Sequence, residues 1–388
     1  MGIYLDHAAT SPIRPEIKNL IAELYDTELG NPSSRHSYAS KAKKVLDDAR
    51  EEIASILNVN YANVVFTSGG TESDNLAIYG TIRSNLLEAT KQKFSTIIIS
   101  EIEHRAVLNS ADEIGKIFQV PVKKIPVDSN GVVLLSALDE ILDESAGGIS
   151  KCNLVSVMAS NNEIGSIQPI KEIYTLVKSA NKNSIFHSDA VQGVGWLDPT
   201  DIVGNSDMVS MSAHKLGGPV GVGVLIIKDD IKIMPQIIGG GQQRQRRSGT
   251  NDVISAAAMA MALKLNSKKD HNYFHELKRS FLIDLKTSVA GVTETVPEEF
   301  SVDGMCHITV DGVNGEELLF LLDESGVAAS AGSACSSGSI APSHVLMAIG
   351  AAEFGKAFIR LSFGWSTSED DLSQAVLILK KCIEKLRQ

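Results

Sequence analysis

Between residues 64 and 227 short apolar runs alternate with stretches of helical periodicity. Val64-Val65-Phe66, Thr96 to Ile99, Asn153 to Met158, Ser184-Ile185-Phe186, Met208 to Met211 and Val222 to Ile227 read as strands. Glu72 to Leu87 and Lys171 to Ser179 read as helices. Such alternation predicts an α/β chain with a mostly parallel sheet and helices on both faces, because a parallel pair needs a crossover long enough to hold a helix. The polar residues fall just past the ends of the apolar runs. An open α/β sheet binds its ligands outside the carboxyl ends of its strands, so one edge of one sheet should collect Thr71, His104, Asn162, Asp189, Gln192 and Lys215.

After about residue 260 the pattern changes. Ala256 to Leu265 is an Ala/Met-rich helix, and the charged stretch Asn266 to Lys278 reads as a solvated helix face or a hinge. Strand-like runs at Cys306 to Val310 and Phe358 to Phe363, with helical runs at Glu316 to Leu322 and Leu372 to Leu386, predict a second, smaller α/β unit. Gly239-Gly240-Gly241 and the Ser/Gly-rich Ser330 to Ser339 read as loops.

Composition removes several classes of function. A net charge of −11 disfavours sequence-blind binding to nucleic acid, which needs a basic footprint. No apolar run approaches the ~20 residues of a membrane span, and the first residues, Met1 to Asp6, lack the basic and apolar regions of a secretory signal. The four cysteines, Cys152, Cys306, Cys335 and Cys382, are dispersed with no CxxC pair, which disfavours a zinc site and fits reduced thiols in the cytoplasm.

Each polar cluster has a chemical reading and a plain one. Lys215, beside His214 and ahead of Gly217-Gly218-Pro219, could form a Schiff base at a strand end, or be a surface lysine at a turn. Asp189 could keep a pyridine nitrogen protonated, or cap a helix; the two roles are compatible. Gln192, three residues on, could bond a ring oxygen. Thr67-Ser68-Gly69-Gly70-Thr71-Glu72, between strand and helix, suits a phosphate through its amides and the helix dipole, or is a capped helix start. It lacks the GxxxxGK[ST] of a nucleotide loop. His104 could stack on a cofactor ring and shuttle protons, or be a satisfied loop histidine. Arg360, a charge inside an alternating run, invites a bidentate carboxylate from a substrate or from the chain itself. Cys152, Cys306 and Cys382 lie in apolar runs, as buried inert thiols do. Cys335, in Ala331-Gly332-Ser333-Ala334-Cys335-Ser336-Ser337-Gly338, has nothing bulky around it and is free to ionise and attack.

Taken together the chain resembles the cysteine desulfurases of the NifS/IscS type, within the class V aminotransferase superfamily of pyridoxal-phosphate fold-type I. The motifs run through most of the sequence: Tyr4 to Thr10, Gly30-Asn31-Pro32-Ser33-Ser34 with His36, Thr67 to Glu72, Glu103-His104, Asn161 to Gly165, His187 to Gln192, Ser212 to Lys215, Gly239 to Gln242, Arg247 to Thr250, Ser333-Ala334-Cys335 and Pro342 to Leu346. The resemblance implies a large cofactor-binding domain over residues 15–260 with a seven-stranded sheet, and a small domain from residues 1–14 and 261–388 carrying the catalytic-cysteine loop. It implies pyridoxal 5'-phosphate linked to Lys215, with Asp189 on the ring nitrogen and His104 stacked on the ring. Gln192 and Asn162 would contact the ring oxygen and the substrate side. Gly70, Thr71, Ser212 and His214 would hold the phosphate, and Thr250 would reach the phosphate of the neighbouring subunit in a homodimer. Arg360 would bind the carboxylate of L-cysteine. Cys335 would take the sulfur as a persulfide and pass it to an acceptor protein, in iron–sulfur cluster assembly, tRNA thiolation or DNA phosphorothioation. Two stretches depart from the family pattern: Gly217-Gly218-Pro219-Val220 replaces an aromatic-Gly-Pro-Lys, and Gln242 to Arg246 lacks the acidic residue often found there. The Ser/Gly-rich stretch after Cys335 resembles the long-loop group of the family.

Overall fold

A computed structural model describes residues 2–87, 93–145, 151–331, 343–351 and 356–388. Cys335 and its loop lie outside the described residues, as does the side chain of Cys152. The chain opens on a two-residue strand, β1 (Ile3–Tyr4), followed by helices α1 (Pro15–Asp26) and α2 (Ser37–Ile56). The alternating section then forms β2 (Val64–Thr67), α3 (Gly70–Leu87), β3 (Lys93–Ser100), α4 (Arg105–Phe118), β4 (Val122–Ile125), α5 (Leu135–Ser145) and β5 (Lys151–Ser156). It continues through α6 (Ile170–Ala180), β6 (Ile185–Asp189), α7 (Pro199–Gly204), β7 (Met208–Ser212), β8 (Gly223–Ile227) and α8 (Val253–Asn266).

Seven strands join in the order β2-β8-β7-β6-β5-β3-β4. β8 runs antiparallel to both of its neighbours, and the other pairings are parallel. β2, β3, β5, β6 and β7 therefore point their carboxyl ends the same way. Successive residues face opposite sides of the sheet, and the core divides accordingly. Ile98, Val155, Phe186 and Val209 join one cluster; Ile97, Ile99, Leu154 and Met208 join another. Burial on both faces explains why these strands read as continuous apolar runs.

The second unit comprises α9 (His271–Ser288), β9 (Val292–Glu294), β10 (Met305–Asp311), α10 (Gly315–Glu324), β11 (Val327–Ala328), α11 (His344–Ala348), β12 (Lys356–Ser362) and α12 (Glu369–Leu386). β12, β10 and β9 form an antiparallel sheet, and β11 pairs in parallel with β1 through Ile3↔Val327. Ile3 and Leu5 share a core with Phe274, Phe281, Ile308, Ile359 and Leu379. The α8 side chains from Val253 to Leu263 belong to the first core. We propose on this basis the expected division of the chain into residues 15–260 and residues 1–14 with 261–388.

One expectation changes. The charged stretch 266–278 is not a solvated face alone, since it includes the first turns of α9, where Phe274, Leu277 and Lys278 are buried. Phe274, Leu277 and Phe281 recur at helical spacing and carry the helix onto its core. Lys278 donates from its ammonium to Ser301 Oγ (2.6 Å) and the Val302 carbonyl (3.0 Å), which compensates its burial.

Candidate active site

The carboxyl edge of the large sheet gathers the expected residues. Asp189 ends β6, and its Oδ1 accepts from the Val191 amide (2.9 Å), so the capping role and a charged role coexist. Lys215 closes a single 3-10 turn directly after β7. Its ammonium donates to the carbonyls of Ala8 and of Ala9, the latter over 2.7 Å. Gln192 Nε2 donates to the same Ala8 carbonyl (2.7 Å), and the Ser11 amide donates to the His214 carbonyl (2.8 Å). The N-terminal turn from Asp6 to Ser11 therefore lies across the end of β7. His214 Nδ1 meets Thr10 Oγ1 at 3.2 Å, and burial lowers its pKa to about 4, leaving a neutral ring.

Beneath this edge lie three buried carboxylates, Asp74, Glu103 and Asp189. Burial raises the pKa of each, and the charge of Asp189 raises those of Asp74 and Glu103 further. For Asp189 the rise is opposed by nearby His104, the Val191 amide and Lys215. Asp189 is thus the member of the three best able to hold a negative charge. Glu103 Oε1 accepts from the Met158 amide (2.6 Å). His187, fully buried between Ser156 Oγ (2.8 Å) and Ser210 Oγ (2.9 Å), has its pKa lowered to about 3 by burial, so its 3.7 Å approach to Asp74 is no ion pair. Asp74, Glu103 and His187 were not anticipated as a group. His187 and Glu103 sat inside motifs noted for their neighbours, and Asp74 carried no sequence signal of burial.

The start of α3 forms a cradle. Gly69 takes φ +150°, which side chains rarely adopt, and a Cβ there would lie 3.9 Å from Ser212 Oγ. A Cβ on Gly70 would meet Val191 Cγ2 at 2.6 Å. Glycine is thus needed at 69 for its backbone conformation and at 70 for the close approach of the helix start to the segment after β6. First-turn amides lack intrahelical acceptors and face an anion favourably. Thr71 is exposed there, and Glu72 caps the turn by accepting from the Ser68 amide (2.8 Å). Glu72 also receives Arg247 through Nε (2.9 Å) and Nη2 (3.3 Å). Exposed Thr250 lines a hollow of about 160 Å³ together with Thr67, Ser68 and Arg247.

Arg360 lies on β12 of the small sheet. It is 2% exposed and donates to Asp6 Oδ1 and to the Asn162 carbonyl, each over 2.7 Å. Asp6 is thus its internal carboxylate partner, and Asn162 stands beside it. His104 caps α4 by accepting from the Ala106 amide (3.1 Å). Among the described cysteines, burial pushes the Cys306 thiol up to about 12, and Cys382 is buried as well.

The donor set fits pyridoxal phosphate. A buried carboxylate awaits a cation, an amine stands at the neighbouring strand end, and a glycine-formed helix start offers amides to a phosphate. The family model for class V aminotransferases matches residues 3–375. The chain is 37% identical over 393 residues to the cysteine desulfurase IscS of Clostridium botulinum (strain Kyoto / Type A2), covering 100% of this chain and 95% of that one. Among solved structures, a NifS-like protein superposes with a TM-score of 0.89 at 30% identity, each chain covered in full (100%). SspA in complex with cysteine superposes with a TM-score of 0.79 at 28% identity, covering 93% of this chain and 98% of that one.

Proposed function

The chain belongs to the class V aminotransferases, among the cysteine desulfurases, and from that membership we propose that it converts L-cysteine to L-alanine and holds the sulfur as a persulfide on Cys335. The observation that carries this reading is the meeting of Lys215 and buried Asp189 at adjacent strand ends, with Arg360 bonded to Asp6 at the start of the turn that holds Lys215.

Enzymes of this family depend on pyridoxal phosphate. When bound, it supplies an electron sink for the pair left at Cα. Lys215 would attach it, Asp189 would keep its ring nitrogen protonated, and Gly70, Thr71, Ser212 and His214 would hold its phosphate. His104 would cover the ring, and Gln192 with Asn162 would contact the ring oxygen and the substrate side. In the reaction, Arg360 and Asn162 fix the substrate carboxylate so that Cα–H faces Lys215. The neutral Lys215 amine takes that proton as a general base. The Cys335 thiolate attacks the substrate sulfur; the C–S bond breaks, an S–S bond forms, and the carbon skeleton leaves as L-alanine. Sulfur moves from one thiol to another, so no external oxidant enters.

Cys335 would then deliver its sulfur to an acceptor protein, with iron–sulfur assembly, tRNA thiolation and DNA phosphorothioation as the candidate destinations. The described cysteines Cys306 and Cys382 are free thiols, which suits the reducing cytoplasm in which we place the enzyme. Among the described residues no helix is long and apolar enough to cross a membrane.

Two tests follow from the geometry. Arg360→Ala should raise KM for cysteine roughly tenfold to a hundredfold, the effect of losing a charge-assisted pair of about 1.5–3 kcal/mol, while cofactor stays attached. An unchanged KM would show that another group holds the carboxylate. The Arg247-Ser248-Gly249-Thr250 segment is read as the one donated across a dimer, so light scattering should give twice the chain mass. A monomer that is fully active would exclude shared sites.

A further inference from the structure

Arg360 reaches the site with its charge already matched. Its Nη2 donates to Asp6 Oδ1 and its Nη1 to the Asn162 carbonyl, and its side chain is 2% exposed. A guanidinium this buried needs a counter-charge, because a lone charge in a low-dielectric interior is strongly disfavoured. A substrate carboxylate therefore meets Asp6 in its place.

Two features favour an exchange between the two. The Asp6 side chain keeps 22% exposure, so its carboxylate is accessible to solvent. The Asp6 backbone is held separately: its carbonyl accepts from the Ala9 amide (3.0 Å), and the residue bridges to Ser362. Its carboxylate can leave by side-chain rotation without unravelling the turn.

We propose that Asp6 is an internal stand-in for the substrate carboxylate: it neutralises Arg360 before cysteine arrives and yields the guanidinium to it. This rests on the reading of Arg360 as the carboxylate anchor. The exchange makes and breaks no covalent bond and moves no proton. It makes entry conditional, since a thiol without a carboxylate cannot displace Asp6. It also couples the two ends of the site, because the turn that Asp6 begins carries the Ala8 and Ala9 carbonyls that hold the Lys215 ammonium. Asp6 is a positioning residue in this scheme and touches no reacting atom.

The test uses full-length holoenzyme and 3-mercaptopropionate, which has the carboxylate and thiol but no amine to react. By calorimetry, Asp6→Asn should bind it about tenfold more tightly, as expected when the competent form of Arg360 is no longer a minor fraction. KM for cysteine should fall by a similar factor, with a smaller change in kcat. In the wild type, a crystal structure with bound 3-mercaptopropionate should show the Asp6 carboxylate rotated off Arg360 with the turn unchanged, which keeps the idea testable should the variant fold poorly. Unchanged or weaker binding by Asp6→Asn, or an intact Asp6–Arg360 pair beside the bound probe, overturns the proposal. Arg360→Ala separates the two readings. If it still binds the probe, the carboxylate anchor itself is misassigned. If it loses the probe while Asp6→Asn binds as the wild type does, only the role of Asp6 falls.

Discussion

Lys215→Ala is expected to lower the turnover of L-cysteine by at least about a thousandfold, since it removes both the attachment point of the cofactor and the general base, a role that alone contributes roughly 10²–10⁴. The side chain occupies the turn after β7 and is held by the carbonyls of Ala8 and Ala9, so alanine removes the amine and leaves two acceptors behind. The carbonyl of Ala8 keeps Gln192 as a donor, so the N-terminal turn should stay in place. The fold should therefore survive, with Asp189 and the α3 cradle still able to retain unlinked cofactor. The purified variant should lose the absorbance of lysine-linked cofactor, and added primary amine should restore part of the proton transfer. Sulfide release at the wild-type rate would show that Lys215 is a surface lysine at a turn and would remove the basis of the functional assignment.

Cys335→Ser is expected to abolish C–S cleavage while leaving cysteine binding and cofactor attachment intact. The other described thiols cannot substitute. Cys306 is buried in β10 with its pKa pushed up to about 12. Cys382 is buried in α12, where its Sγ donates weakly to the Leu321 carbonyl (3.7 Å). Both side chains belong to the core of the small unit, buried away from substrate. Intact-mass spectrometry after brief exposure to cysteine should find one added sulfur on the wild type and none on Cys335→Ser, with peptide mapping placing the adduct on Cys335. An adduct on Cys152, Cys306 or Cys382, or full activity in Cys335→Ser, would identify a different nucleophile.

The large sheet was legible because its strands are buried on both faces and so announce themselves as apolar runs, and because parallel strands force their polar ends onto one edge. Asp189, Lys215 and the Gly69-Gly70 start of α3 could be placed from that rule alone. The amphipathic α9 was harder. Its apolar stripe of Phe274, Leu277, Phe281, Leu282 and Leu285 is interleaved with charged residues, and a buried lysine, Lys278, sits on the same helix. Asp6 was visible only as part of a motif; its bond to Arg360 joins residues 354 positions apart, and no local pattern encodes a pairing across that span. Asp74 and Glu103 were missed for a related reason. A carboxylate on a helix or after a strand reads as solvated until tertiary packing encloses it.

The pairing of β1 with β11, and of Asp6 with Arg360, also fixes when the enzyme can first work during its own synthesis. The seven-stranded sheet is complete once Ile227 has been made, and a nascent chain of that length can begin to pack it. The first residues must wait, because Ile3 finds its register partner only at Val327, and Asp6 finds its bridge only at Ser362. Until then the turn that grips the Lys215 amine is held from the large sheet alone, by Gln192 and the His214 carbonyl. Competence for catalysis thus arrives late and together with the second sheet. The N-terminus is for the same reason a poor place for truncation: losing the first ten residues would leave the large core intact and the active site unassembled.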